Sequence, residues 1–165
     1  MPKLLIVGAG QYGRLVRELA QLDGYEEIAF LDDAAPDAAG TLTELERFAN
    51  RGFHAIVALG NPAMRQALSR RLEELHFEMP TLIHPRAWVS PSATLAPGCV
   101  VEANAVVSTG AVVGSASFVC AGAVVNHNAV VSACCQLDCG VVVPANAAVP
   151  PGTKVLANIV FRSDV

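Results

Sequence analysis

The chain has 165 residues, 53% of them hydrophobic, and carries a net charge of −4. That length allows one large domain or two small ones. No apolar run reaches the ~18 residues of a membrane span, so no membrane insertion is expected. An acidic balance without a basic patch predicts no nucleic-acid partner. The start, MPKLLIVGAGQYGR, does not read as a secretory signal, so a cytoplasmic location is expected. Five cysteines, at 99, 120, 134, 135 and 139, are an odd number and predict no disulfide framework.

Lys3 to Val7 (KLLIV) reads as a strand. Gly8-Ala9-Gly10-Gln11-Tyr12-Gly13 follows, then a helical stretch, Arg14 to Leu22, with Leu15, Leu19 and Leu22 on one face. A second strand, Glu27 to Leu31, ends in Asp32-Asp33. A third, His54 to Leu59, ends in Gly60-Asn61, and a helix over Pro62 to His76 comes next. Alternating strands and helices predict a small parallel α/β unit over residues 1–82. The G-x-G-x-x-G loop lies between strand and helix, with the acidic pair beyond it. There the glycines permit a tight turn and close backbone approach, and the helix N-terminus attracts phosphate. The bland alternative is a tight turn with no ligand. From the motif alone NAD is the obvious ligand. The charged stretches Arg14 to Glu18 and Arg65 to Glu74 read as solvated helix faces.

From Val89 to Val160 the sequence repeats every six residues. The aliphatic anchors run Val89, Leu95, Val101, Val107, Val113, Val119 and on, without a break, to Val155. Four residues after each anchor stands a small residue in most hexads, such as Ala105, Ala111, Ala123 and Cys135. Three residues after it, nine of twelve hexads carry Gly or Asn, which tolerate the positive φ of a corner. Such a hexapeptide repeat predicts a parallel β-helix, with three hexads to a triangular coil. Cys99 and Cys135 read as packing residues, and a metal cluster at Cys134, Cys135 and Cys139 is disfavoured because adjacent side chains diverge. No metal is expected. Trp88 is expected to plug the open end of the prism and Phe161 to cover the other. The flat exposed faces predict oligomerisation.

The order of GxGxxG, FLDD at 30–33, VALGNPAMR at 57–65, IHPRAWVSPSA at 83–93 and NH at 126–127 resembles the sialic acid O-acetyltransferase and bacillosamine N-acetyltransferase family. The resemblance covers essentially the whole chain. It implies a Rossmann-like α/β domain over 1–82, a left-handed parallel β-helix over 83–165, and a homotrimer with active sites between neighbouring prisms. It also implies transfer of acetyl from acetyl-CoA to an amino or hydroxyl group of a sugar. The front domain would hold a UDP-linked sugar, so a nucleotide-sugar ranks above NAD. By position, His127 falls on the catalytic base, followed by Asn128. Gly8, Gly10, Gln11, Tyr12 and Gly13 fall on the phosphate-side loop. Asp32 and Asp33 fall near the uridine end, and Gly60, Asn61 and Arg65 on the loop closing that pocket. Gln136 and Ala145 fall where the acetyl group and pantetheine arm of acetyl-CoA are held.

His127 lies two residues after anchor Val125, so its side chain is expected to point out of the prism. The equivalent positions one coil away are Thr109 and Ala145. A neutral imidazole there can take a proton from an attacking amine or hydroxyl. The chain departs from the family at Asn128, where Asp or Glu is usual, at Gln136, where many relatives have His, and at Ala145, where many have Gly. The prism is also short beyond His127. These departures define the alternative reading, a non-catalytic or donor-altered relative that binds a nucleotide-sugar as a scaffold in glycan biosynthesis. A β-helix carbonic anhydrase needs three His on zinc, and the repeat holds His127 alone.

Overall fold

The computed structural model describes residues 2–162. Met1–Pro80 and Thr81–Val165 form two compact units. The break falls two residues before the expected one, because Leu82–Ile83 already pairs with Val100–Val101 as a prism strand.

In the front unit, β1 (Lys3–Val7), β2 (Ile28–Leu31) and β3 (Phe53–Val57) form a parallel sheet in the order β2-β1-β3. The central position of β1 explains its composition: Leu4, Leu5, Ile6 and Val7 are fully buried, as a strand covered on both faces requires. Helix α1 (Gln11–Leu22) buries Gly13, Val16, Leu19 and Ala20. The expected stripe was one residue out of phase: Leu15 and Leu22 are 37% and 60% exposed. A Cβ on Gly13 would sit 2.0 Å from the Gly8 carbonyl oxygen. That close approach fixes the rotation of α1 and turns Val16 inward. Helix α2 spans Pro62–Glu74, capped by Asn61, whose side chain accepts from the Met64 amide at 3.0 Å. Residues 42–48 form a 3-10 helix absent from the sequence reading. Its signal was the Thr41-x-x-Glu44 capping box, which the structure forms. The unit's core gathers Leu5, Val7, Leu31, Leu45, Ala55, Val57, Leu72 and Phe77.

The second unit is a parallel β-helix built from two-residue strands. β4 (Leu82–Ile83) opens one sheet and β5 (Trp88–Val89) and β6 (Thr94–Leu95) open the others. Strands eighteen residues apart pair in parallel, as Trp88–Val89, Val106–Val107, Val124–Val125 and Val142–Val143 do. Each anchor from Val89 to Val155 is the second residue of its strand, and those from Val101 to Val149 are fully buried. Burying each Val gains roughly 1.5–2 kcal/mol. The small residues Cys99, Ala105, Ala111, Ala123, Ala129 and Cys135 pack among them with no exposed surface.

The corners explain the other half of the repeat. Every position three after an anchor, from Gly98 to Asn158, has φ between 52° and 77°. This conformation aims the corner amide along the prism axis. Asn128 N–H donates to Thr109 O at 3.0 Å and Asn146 N–H to His127 O at 3.1 Å. Ala116 (φ 52°) and Cys134 (φ 58°) adopt it without a suited side chain, at about 1–2 kcal/mol each. Ser92, at the first corner, stays out of this region. It supplies its Oγ instead, which accepts from the Gly110 amide at 3.2 Å.

Trp88 does not plug the prism. It is 60% exposed on an outer sheet face, since its pairing with Val106 directs the ring outward. Phe161 does pack partly against the prism core. All five cysteines are free, four of them buried and Cys139 exposed.

Gly114 shows how closely coils approach. A Cβ there would lie 2.5 Å from the Ala133 nitrogen and 2.6 Å from the Ser132 carbonyl carbon. Both are backbone atoms held by the ladder. We expect Gly114→Ala to lower stability by about 2–3 kcal/mol, read as a lower urea midpoint at unchanged slope.

Candidate active site

The carboxyl ends of the three front strands bring most of the predicted nucleotide residues together. Sheet order β2-β1-β3 puts a topological switch point beside β1, where open α/β sheets bind ligands. Gly8 has φ 110°, and a Cβ on it would meet Leu59 at 2.7 Å, so the glycine loop and the Leu59–Gly60 turn touch. Gly10 has open space where a Cβ would project. It precedes the first turn of α1, which contains no acidic residue. Gln11 is exposed and Tyr12 half-buried.

The acidic pair does different work from that expected. Asp32 accepts from the Ala9 amide at 2.8 Å and from Ala34 and Ala35 at 2.9 and 3.0 Å. Asp33 accepts from Leu42 N–H at 2.9 Å. These carboxylates hold the walls of the loops. The Ala9 amide, followed by that of Ala34, keeps the Asp32 carboxyl below its ordinary 3.8, against a smaller opposing effect of burial. Arg14 binds the Ala9 carbonyl oxygen at 3.2 Å, grips Asp37 with both terminal nitrogens and lies 4.5 Å over the Phe30 ring. It therefore ties the glycine loop to the 33–40 segment, a role that a solvated-face reading missed.

Arg65 also departs from that reading. It is fully buried, and its guanidinium donates to the carbonyls of Leu59 at 2.7 Å and Gly60 at 3.3 Å. It shapes the turn from beneath and is not a surface group of α2. Asn61 is exposed while capping α2.

In the prism, His127 sits on the corner between the sheet containing Val124–Val125 and that containing Val130–Val131. The side chain is exposed. The main chain is fixed, because His127 O accepts from Asn146 N–H. The ring Nδ1 lies 3.2 Å from Asn126 Oδ1, and the same oxygen accepts the His127 amide at 3.1 Å. Sequence reasoning gave Asn126 no role of its own; its signal was its place directly before the histidine in the NH pair. Asn128 has φ 55°, so corner geometry accounts for it. Ala145 lies one coil from His127 in the same corner column, about 4.8 Å away. Gln136 does not join them. It projects from the sheet opposite that corner, where its Nε2 donates to Asp138 Oδ1 at 2.7 Å. Among the described residues, no group of three or more His, Cys, Asp or Glu is arranged to hold a metal, and no helix is long and apolar enough to cross a membrane.

A parallel α/β unit with a glycine loop and a hexapeptide prism bearing an exposed corner histidine is an architecture that acetyltransferases of known structure share. Residues 3–72 match the PglD N-terminal domain family. The acetyltransferase domain of PglB from Neisseria gonorrhoeae FA1090, solved with acetyl coenzyme A, is 34% identical, with a TM-score of 0.91 over 94% of this chain and 80% of that one. UDP-N-acetylbacillosamine N-acetyltransferase of Bacillus subtilis (strain 168) is 33% identical over 114 residues, 62% of this chain and 52% of that protein. The chain thus aligns with about half the length of that curated relative. A mutant perosamine N-acetyltransferase from Caulobacter crescentus, 24% identical with a TM-score of 0.78 over 96% of this chain and 90% of that one, shares the fold. The chain belongs to the family of the PglB and PglD acetyltransferases.

The Asp32 contacts give a pH-dependent prediction. A carboxyl whose folded pKa is depressed stabilises fully above its unfolded value and loses that contribution as pH falls through the folded one. Asp32→Ala should cost about 1–3 kcal/mol near neutral pH. The gap between variant and wild type should begin to narrow as pH falls below ~4, as measured by urea unfolding across pH 2.5–7.

Proposed function

We propose that this protein transfers an acetyl group from acetyl-CoA to the amino group of a UDP-linked sugar, with His127 as general base. The likeness that carries this reading is that to the PglB acetyltransferase domain solved with acetyl coenzyme A, 34% identical over nearly the whole chain. The curated relative from Bacillus subtilis, named for an N-acetyltransferase acting on a UDP-sugar, supports the amino acceptor and the UDP carrier.

The chemistry asked of His127 is modest. The acceptor amine attacks the thioester carbonyl carbon; the C–N bond forms, the C–S bond breaks and CoA leaves as the thiol. One proton moves in two transfers: the base removes it from the attacking nitrogen and can return it to the departing sulfur. An exposed imidazole suits both transfers. The nucleotide end of the acceptor is assigned to Gly8, Gly10, Gln11, Tyr12 and Gly13, with Asp32, Asp33, Gly60, Asn61 and Arg65 shaping the walls. Ala145, small and one coil away, leaves room for the donor beside His127.

We also propose that the working form is a homotrimer. The two sheet faces flanking the His127 corner expose Trp88 (60%), Val112 (39%) and Val130 (42%). Apolar columns of this kind call for a partner, and packing prisms side by side puts His127 in the groove between them.

Two outcomes test this reading. His127→Ala should reduce acetyl transfer to UDP-4-amino sugars by at least ~10²-fold while calorimetry still finds about one acetyl-CoA site per chain. UDP-sugar binding with no acetyl-CoA binding by the wild type would instead establish the scaffold reading. For assembly, Val112→Glu with Val130→Glu should convert a trimer into monomers in sedimentation equilibrium; a monomeric wild type would refute the trimer.

A further inference from the structure

The contact between Asn126 and His127 determines more than ring orientation. Asn126 Oδ1 accepts the main-chain N–H of His127 at 3.1 Å. An amide NH₂ could not accept that bond, so the side-chain orientation of Asn126 is fixed by its neighbour's backbone. The same oxygen faces His127 Nδ1 at 3.2 Å. A carbonyl oxygen cannot donate, so this approach is a hydrogen bond only when Nδ1 carries the proton. In the neutral ring, Nε2 is then the unprotonated nitrogen.

Asn126 is itself held rigidly. Its amide donates to Val143 O at 3.0 Å and its carbonyl accepts from Ala129 N–H at 3.1 Å. Asn126 opens the corner turn, a position that suits Ser, Asp and Asn, but only here does a histidine follow it. The left-handed residue of this corner is Asn128, and the equivalent positions in the adjacent coils are Ser108 and Pro144.

We infer that Asn126 is a positioning residue that holds neutral His127 in its Nδ1–H tautomer, leaving the Nε2 lone pair to act as the base. A histidine side chain free in water favours the opposite tautomer, with the proton on Nε2, so the contact reverses the default. The catalytic half of the inference rests on the proposed acetyl transfer; the tautomer itself does not. Asn126 thereby supplies, without a charge, the orientation that a triad carboxylate gives its histidine.

The experiment uses the full-length protein labelled with ¹⁵N and a long-range ¹H–¹⁵N correlation of the histidine rings, recorded at alkaline pH. The His127 signals are those missing from His127→Gln. Wild type should show the Nδ1–H pattern, Asn126→Ala should revert to Nε2–H, and Asn126→Asp should keep Nδ1–H. In turnover, Asn126→Ala should lower kcat at least ~10-fold with the acetyl-CoA KM within about twofold, and Asn126→Asp should recover most of the rate. An Nε2–H pattern in the wild type, or an unchanged pattern in Asn126→Ala, overturns the inference. A tautomer switch with unchanged kcat overturns its catalytic half. A wild type that acetylates nothing overturns the proposed function and that half together, while the tautomer result stands by itself.

Discussion

Each coil of the prism must turn three corners in eighteen residues while its amides stay paired with the coils on either side. That requirement dictates most of the second half of the sequence. Parallel pairing sets one short strand per face, so each anchor points into the prism and its predecessor points away from it, exposed as at Trp88 and Val130 or covered as at Val100 and Phe118. The corner must then reverse direction without losing its hydrogen bond, which forces positive φ from Gly98 to Asn158. Gly and Asn meet the demand at little cost. Ala116 and Cys134 meet it only because the ladder around them leaves no alternative.

The same constraint explains why the corner histidine can be exposed and still have a fixed backbone. Its carbonyl oxygen is tied to the following coil and its amide to Asn126. The main chain is thus held on both sides of an exposed ring. In the front unit an analogous rigidity comes from side chains. Asp32, Arg14 and Arg65 each hold loop backbone from a different direction, leaving the exposed Gly10–Gln11 turn as the open part of the glycine loop.

Much of this was legible in the sequence, for a physical reason in each case. A six-residue period with invariant inward anchors has one structural solution, so the prism, its strands and its corners were readable residue by residue. β1 matched its predicted span because a continuous apolar run between punctuating residues is unambiguous. The face of α1 was not readable, because Leu15, Val16, Leu19 and Leu22 allow two overlapping stripes. The choice depends on Gly13 meeting the Gly8 carbonyl, a contact invisible to periodicity. Asp32, Asp33 and Arg65 were singled out by position, yet their polar atoms face backbone groups. A one-dimensional pattern identifies charged residues near a loop but not which way they point. Asn126 entered only as half of the NH motif and was given no role, because an asparagine that opens a corner turn is ordinary by pattern; its contact with the His127 ring is visible only in three dimensions. Trp88 was misplaced because its large apolar area suggested a lid, whereas its parity along the strand had already assigned it outward.

The three-sided repeat also limits how a gene for such a protein can change length. Insertion or deletion of eighteen residues adds or removes one whole layer and leaves every downstream residue on its original face. A change of six preserves the anchors and the packed interior, yet rotates everything after it by one side of the triangle. Placed ahead of residue 126, such an event would yield a folded chain whose histidine has moved to another edge. Recombination within the repeat is therefore cheap for the architecture and expensive for the chemistry.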